Sequence, residues 1–137
     1  KSGPFGIRRI MAANRTVTLR ASSAFAATAA GDPVASHGAR GIVIYLNCTA
    51  VSGSSPTADC KIQGYDALAD VWQDITSATF AQVTAASTQT LTIYPGVAET
   101  SNVTVSDVVP ALIRVHSTIG GSSTPTVTFS LGGVFIP

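Results

Sequence analysis

With 137 residues the chain falls within the size of one domain and is long enough to bury one substantial hydrophobic core. Only 11% of the residues are charged, with two lysines in all, against roughly 25% charged in an average soluble protein, which excludes a densely charged, self-repelling surface. Lys, Asp and Glu are depleted where proteins touch one another, so this composition points to a surface covered by neighbours. The alternative is a sheet surface dressed in Ser and Thr.

The few charges are unevenly placed. Lys1, Arg8, Arg9, Arg15 and Arg20 give the first twenty residues +5 without an acid, which leaves −4 on the rest of a chain whose total is +1. Residues 1–15, KSGPFGIRRIMAANR, mix Gly, Pro, apolar and basic residues without the period of a strand or the caps of a helix, and read as an extended basic arm. Its candidate docking residues are Lys1, Phe5, Ile7, Arg8, Arg9, Ile10 and Arg15. Exposed charge pairs contribute only about 0.2–1 kcal/mol each, so the apolar members must carry much of any docking energy. Such an arm is expected to be ordered only against another subunit.

From Thr16 the pattern alternates, with Val17, Leu19 and Ala21 on one side and Thr16, Thr18 and Arg20 on the other, as in a strand. Residues 22–39 are rich in Ala, Ser and Gly and read as a long loop or second extended segment, with a short helix at 25–30 left open. Between Gly41 and Val51, Ile42, Ile44, Leu46, Cys48 and Ala50 share a face. Ser52-Gly53-Ser54-Ser55-Pro56 then reads as a turn, and residues 57–65 as the return strand of a hairpin that sets Cys48 opposite Cys60. Further strands are expected at 71–75, 79–83, 88–94, 103–105, 111–118 and 125–136, with Gly132-Gly133 marking a bulge or a close backbone approach. Short strands at this spacing predict an all-β fold, an antiparallel two-sheet sandwich of jelly-roll or immunoglobulin-like form occupying residues 16–137. Ile42, Ile44, Leu46 and Ile62 are expected to form its core beneath Trp72.

Catalytic chemistry has little to work with. His37 lies in a polar turn and His116 alternates along a strand, no serine sits in a nucleophile elbow, and Asp66, Asp70 and Asp74 recur around Trp72 without a helix to align them. Two cysteines are too few for a structural zinc site. No enzyme, metal or cofactor is expected. Cys48 and Cys60 read as buried thiols or, if they face each other, a disulfide. No apolar run reaches the roughly 18 residues of a membrane span, and no basic-then-apolar signal segment opens the sequence. The arginines of the arm lack interleaved aromatics and precede an acidic body, so neither membrane nor nucleic acid is an expected partner.

The runs GIVIYLNCTAVSGSSPTADCKIQGYD, VWQDI, TLTIYPGV, DVVPALIRVHSTIGG and TVTFSLGG, spread over residues 41–131, resemble the small head-decoration, or capsid cement, proteins of tailed bacteriophages. The resemblance rests on strands and turns, covers about two thirds of the chain and omits the arm. It implies a β-sandwich added in many copies to the capsid exterior after assembly in the host cytoplasm. It implies binding to the major capsid protein and to other copies of itself, a trimer being the guess, and no enzyme, metal or cofactor. The competing reading is a carbohydrate-binding or tail- or spike-associated module, in which Tyr45, Tyr65, Trp72 and Tyr94 would stack on sugars.

Overall fold

In the computed structural model, residues 13–137 are described. They form eight strands and, among the described residues, no helix: β1 (Arg15–Phe25), β2 (Ala29–Ala30), β3 (Val34–Ala35), β4 (Gly41–Asp66), β5 (Val71–Thr79), β6 (Ser87–Ile93), β7 (Thr104–Val105) and β8 (Leu112–Ile136). The protein is all-β, as the alternation predicts. The segment left open as a short helix at 25–30 holds the last residue of β1 and the two-residue β2.

The largest departure from the expected layout is at residues 52–56. No hairpin turn occurs there, and β4 runs unbroken through 26 residues while β8 runs through 25. The two pair antiparallel from Gly41↔Ile136 to Gly64↔Ile113. The turn-forming residues are absorbed as irregularities: register shifts fall between Cys48 and Thr57, where Gly53 and Ser55 take positive φ opposite Gly121, Ser123 and Thr124, which do the same. Bulges of this kind bend a strand without reversing it. Cys48 consequently faces Phe129 and Cys60 faces Ser117, so the expected Cys48–Cys60 register is wrong, and both thiols are free and buried.

One hydrogen-bonded sheet results, in the order β1-β8-β4-β6-β7, with β2 and β3 on the other half of β8 and β5 on the other half of β4. Every pairing is antiparallel except β6 with β7, which is parallel and departs from the expected pattern. On both sides of the bend β4 buries its even positions, Ile42, Ile44, Leu46 and Cys48 and then Ala58, Cys60 and Ile62. β8 buries Ile113 and Val115, then Val127, Phe129, Leu131 and Phe135. All join one hydrophobic cluster. The sheet therefore folds back over its own buried face, and β5 comes up against β6 and β7. The four expected core residues lie there, each at most 1% exposed. Trp72 does not cover them. It pairs with Tyr65 at an outward position of β4, because the register of β5 places Ile75 and Ala78 inward instead. Gly133 is a close approach, since a Cβ there would stand 2.9 Å from Ile42 Cδ1.

Candidate functional site

The outward side of the long strands is divided at the bend. On the half carrying β1, β6 and the C-terminal part of β8, cross-strand rows read Thr16–Val134–Val43–Thr92, then Thr18–Gly132–Tyr45–Thr90, then Ser130–Asn47–Thr88. These rows contain no Asp, Glu, Lys, Arg or His. Period-two alternation turns the hydroxyls out because the intervening positions fill the core. Tyr45, at the centre, is 50% exposed. Ser52 and Thr126 close this face towards the bend with a hydroxyl pair 2.6 Å apart.

The other half presents charged and aromatic residues at the equivalent positions. Its rows are His116–Lys61–Thr79, Arg114–Gln63–Asp74 and, along β4 and β5, Tyr65–Trp72. Lys61 Nζ and Gln63 Nε2 donate to the two oxygens of Asp74 at 2.9 and 3.0 Å. These two bonds, the amide first, hold the Asp74 carboxyl below the usual carboxylate range. Arg114 Nε donates to Gln63 Oε1 at 2.8 Å, and its guanidinium lies 4.5 Å from the centre of the Trp72 ring, which in turn is tilted 47° against Tyr65 at 5.0 Å. The Tyr65 hydroxyl donates to Asp70, and this bond raises the phenol above its ordinary value. Burial, helped by Lys61 and Arg114, lowers the His116 imidazole, whose buried Nδ1 has no hydrogen-bond partner among the described residues. The bonds on this half are made within the molecule.

At the end of the fold opposite the bend, two open grooves lie between the strand ends. One, about 570 Å³, is lined by residues 13–15, 36–40, Phe135 and Pro137. Arg15 there donates to the carbonyls of Ser36 at 2.7 Å and Ala35 at 3.4 Å and lies 4.7 Å from the centre of the Phe135 ring. Arg40 lines the same groove. The second, about 360 Å³, has Tyr65, Ile75, Val108 and Pro110 in its walls and Asp66, Asp74 and Asp107 among its lining residues. Asp66 accepts from Leu68 N, Ala69 N and Gln73 Nε2, and Asp107 from Val108 N. Among the described residues the only ion pair is Lys61–Asp74, so neither Asp66 nor Asp107 faces a cation.

Of the docking residues read from the sequence, Arg15 is in β1 and bound to its own body, while Lys1, Phe5, Ile7, Arg8, Arg9 and Ile10 lie outside the described residues. The four aromatics that suggested a sugar platform are not brought together: Tyr65 and Trp72 adjoin, Tyr45 is on the uncharged half, and Tyr94 sits under Arg40, whose guanidinium is 5.8 Å from the ring centre. His37 and His116 are in separate elements, and no group of three His, Cys, Asp or Glu capable of holding a metal occurs among the described residues. The uncharged rows were not legible beforehand. Their signal was the alternation of threonine with buried residues in STQTLTI and TVTFSLGG, but only the register assembles those segments into one surface. No family model matches the chain, nor does any curated protein or solved structure.

Proposed function

We propose that this chain is a structural virion protein that decorates and cements the outside of a bacteriophage capsid, bound to major capsid subunits and to neighbouring copies of itself. The observation that carries the reading is the outward face built on Thr18–Gly132–Tyr45–Thr90 and its adjoining rows, a broad area without an ionised side chain around a half-exposed tyrosine. The centres of protein interfaces are depleted of charge and enriched in tyrosine, and burying hydroxyls costs far less than burying unpaired ions. We read the folded sheet as a two-layer sandwich of the jelly-roll or immunoglobulin-like kind, with this face turned to the shell and the hydrogen-bonded, charged face turned to solvent.

Co-sedimentation with undecorated shells tests the proposal. Intact protein is expected to pellet with shells. Tyr45→Asp, which sets a charge in the middle of the face without touching the core, is expected to reduce retention at least tenfold, because an unpaired buried charge costs several kcal/mol. Equal retention of the two proteins would remove this face from the interface. No retention of either would remove the capsid reading.

A further inference from the structure

The two grooves at the open end differ in sign. Arg15 and Arg40 line the one whose wall includes Ala13 and Asn14, the first of the described residues. The other is lined by Asp66 and Asp107, which form no ion pair among the described residues, and by Ile75, Pro110 and Val108, the last of them 56% exposed. Residues 1–12 hold Lys1, Arg8 and Arg9, no acid, and the apolar side chains Phe5, Ile7 and Ile10. A segment that combines cations with bulky apolar groups matches, in charge and in apolar contact, an open groove whose lining mixes carboxylates with Ile75, Val108 and Pro110.

We propose that residues 1–12 of one copy dock in the Asp66–Asp107 groove of a second copy. The proposal rests on the reading of the chain as a self-associating structural subunit and names the surface through which it does so. Twelve extended residues reach about 40 Å, enough to leave one small domain and enter the next. Because the arm and its receiving groove are different surfaces, the contact is heterologous. Each copy gives one arm and takes another, and repetition closes a ring when the rotation permits. Such a contact gains from being repeated in a fixed array, so one arm need not bind strongly by itself.

Charge exchange in the full-length chain tests this. Sedimentation velocity in low salt is expected to show self-association by the intact protein. Arg8→Glu with Arg9→Glu in one variant, and Asp107→Arg in another, are each expected to weaken it about tenfold, as two lost or reversed surface pairs should. Both variants are expected to keep the β-type circular dichroism of the parent, since the Asp107 carboxylate, among the described residues, accepts a hydrogen bond only from its own neighbour Val108 and the arginines precede β1. Mixing the two variants brings the unaltered basic arm of the one to the unaltered acidic groove of the other, and is expected to recover association that neither shows alone. Failure of the mixture to associate, or unchanged association by both variants, overturns the proposal. A monomeric parent in which the arm protects residues 66–76 from hydrogen exchange overturns it also, in favour of docking within one copy. Shell retention of variants that no longer self-associate would leave the capsid reading standing while this one falls, and self-association without shell binding would do the reverse.

Discussion

The two outward faces are made by the same pair of strands, yet they have opposite chemistry. Before the bend, β4 offers Val43, Tyr45 and Asn47 to its outward rows; beyond it, β4 offers Lys61, Gln63 and Tyr65. The charged half has partners within reach, for Asp74, Gln63, Arg114 and Trp72 answer one another across three strands. On the uncharged half, nothing in the three rows forms an ion pair or a cation–ring contact. Bonds made inside the molecule leave little to offer a partner, whereas a surface of hydroxyls, valines and a tyrosine loses little on being covered. Charge count alone, low everywhere in this sequence, does not distinguish the halves.

The comparison presupposes one shared core beneath both faces, and the largest effects test that. Ile44→Ala in one half and Ile62→Ala in the other should each cost about 2–5 kcal/mol, measured by urea unfolding, and both should shift a single transition. Two transitions would make the halves independent units. The bend itself comes next. Gly53 has φ +94°, and a Cβ there would stand 2.7 Å from Pro125 Cα, so Gly53→Ala should destabilise by about 1–3 kcal/mol. Unchanged stability would mean that the bend does not depend on that conformation.

The pH dependence should come from the charged half and the core, not from the uncharged face. Asp74 and His116 both have lowered values in the fold, so the unfolded chain binds more protons in each window. Stability should therefore fall as pH drops below about 6.5 for the imidazole and again below about 3.9 for the carboxylate. Asp74→Asn should flatten the second limb by less than about 1 kcal/mol, the carboxylate itself being exposed. Cys60 has the opposite sign: burial raises its thiol from 9.0 to about 11, so stability is lost as pH rises through that interval, and Cys60→Ala should remove the alkaline limb. The smallest change belongs to the uncharged face, where Thr90→Val should alter stability by no more than about 0.5 kcal/mol. A larger loss would show that the hydroxyl serves the fold.

Much of this was legible from period and composition. Alternation in GIVIYLN identified a strand and its buried side correctly, and TLTI a strand, because inward apolar residues leave a period-two trace in any register. The Ser52–Pro56 segment misled, since Gly and Ser permit both a reversal and a bulge, and which occurs depends on whether a long partner strand is present to continue the ladder. Trp72 misled for a related reason. Its size suggests a core residue, but the shift between Lys61 and Gln63 in the β4–β5 register sets it outward, against Tyr65 and beneath Arg114. The grooves at the open end join residues from both ends of the chain, and no local pattern announces them.

The unbroken pairing of β4 with β8 also governs how the chain acquires its shape. The rung nearest in sequence, Gly64 with Ile113, joins residues 49 apart, and the farthest, Gly41 with Ile136, joins residues 95 apart. Each requires a large loop to close before any ladder energy is returned, which places the protein among slow-folding topologies. The β4–β5 pairing, with Asp66 opposite Val71, is far more local, and its loop costs the least to close. Until β8 has been synthesised, the apolar side of β4 lacks its long partner strand, and the partly made chain is exposed to aggregation.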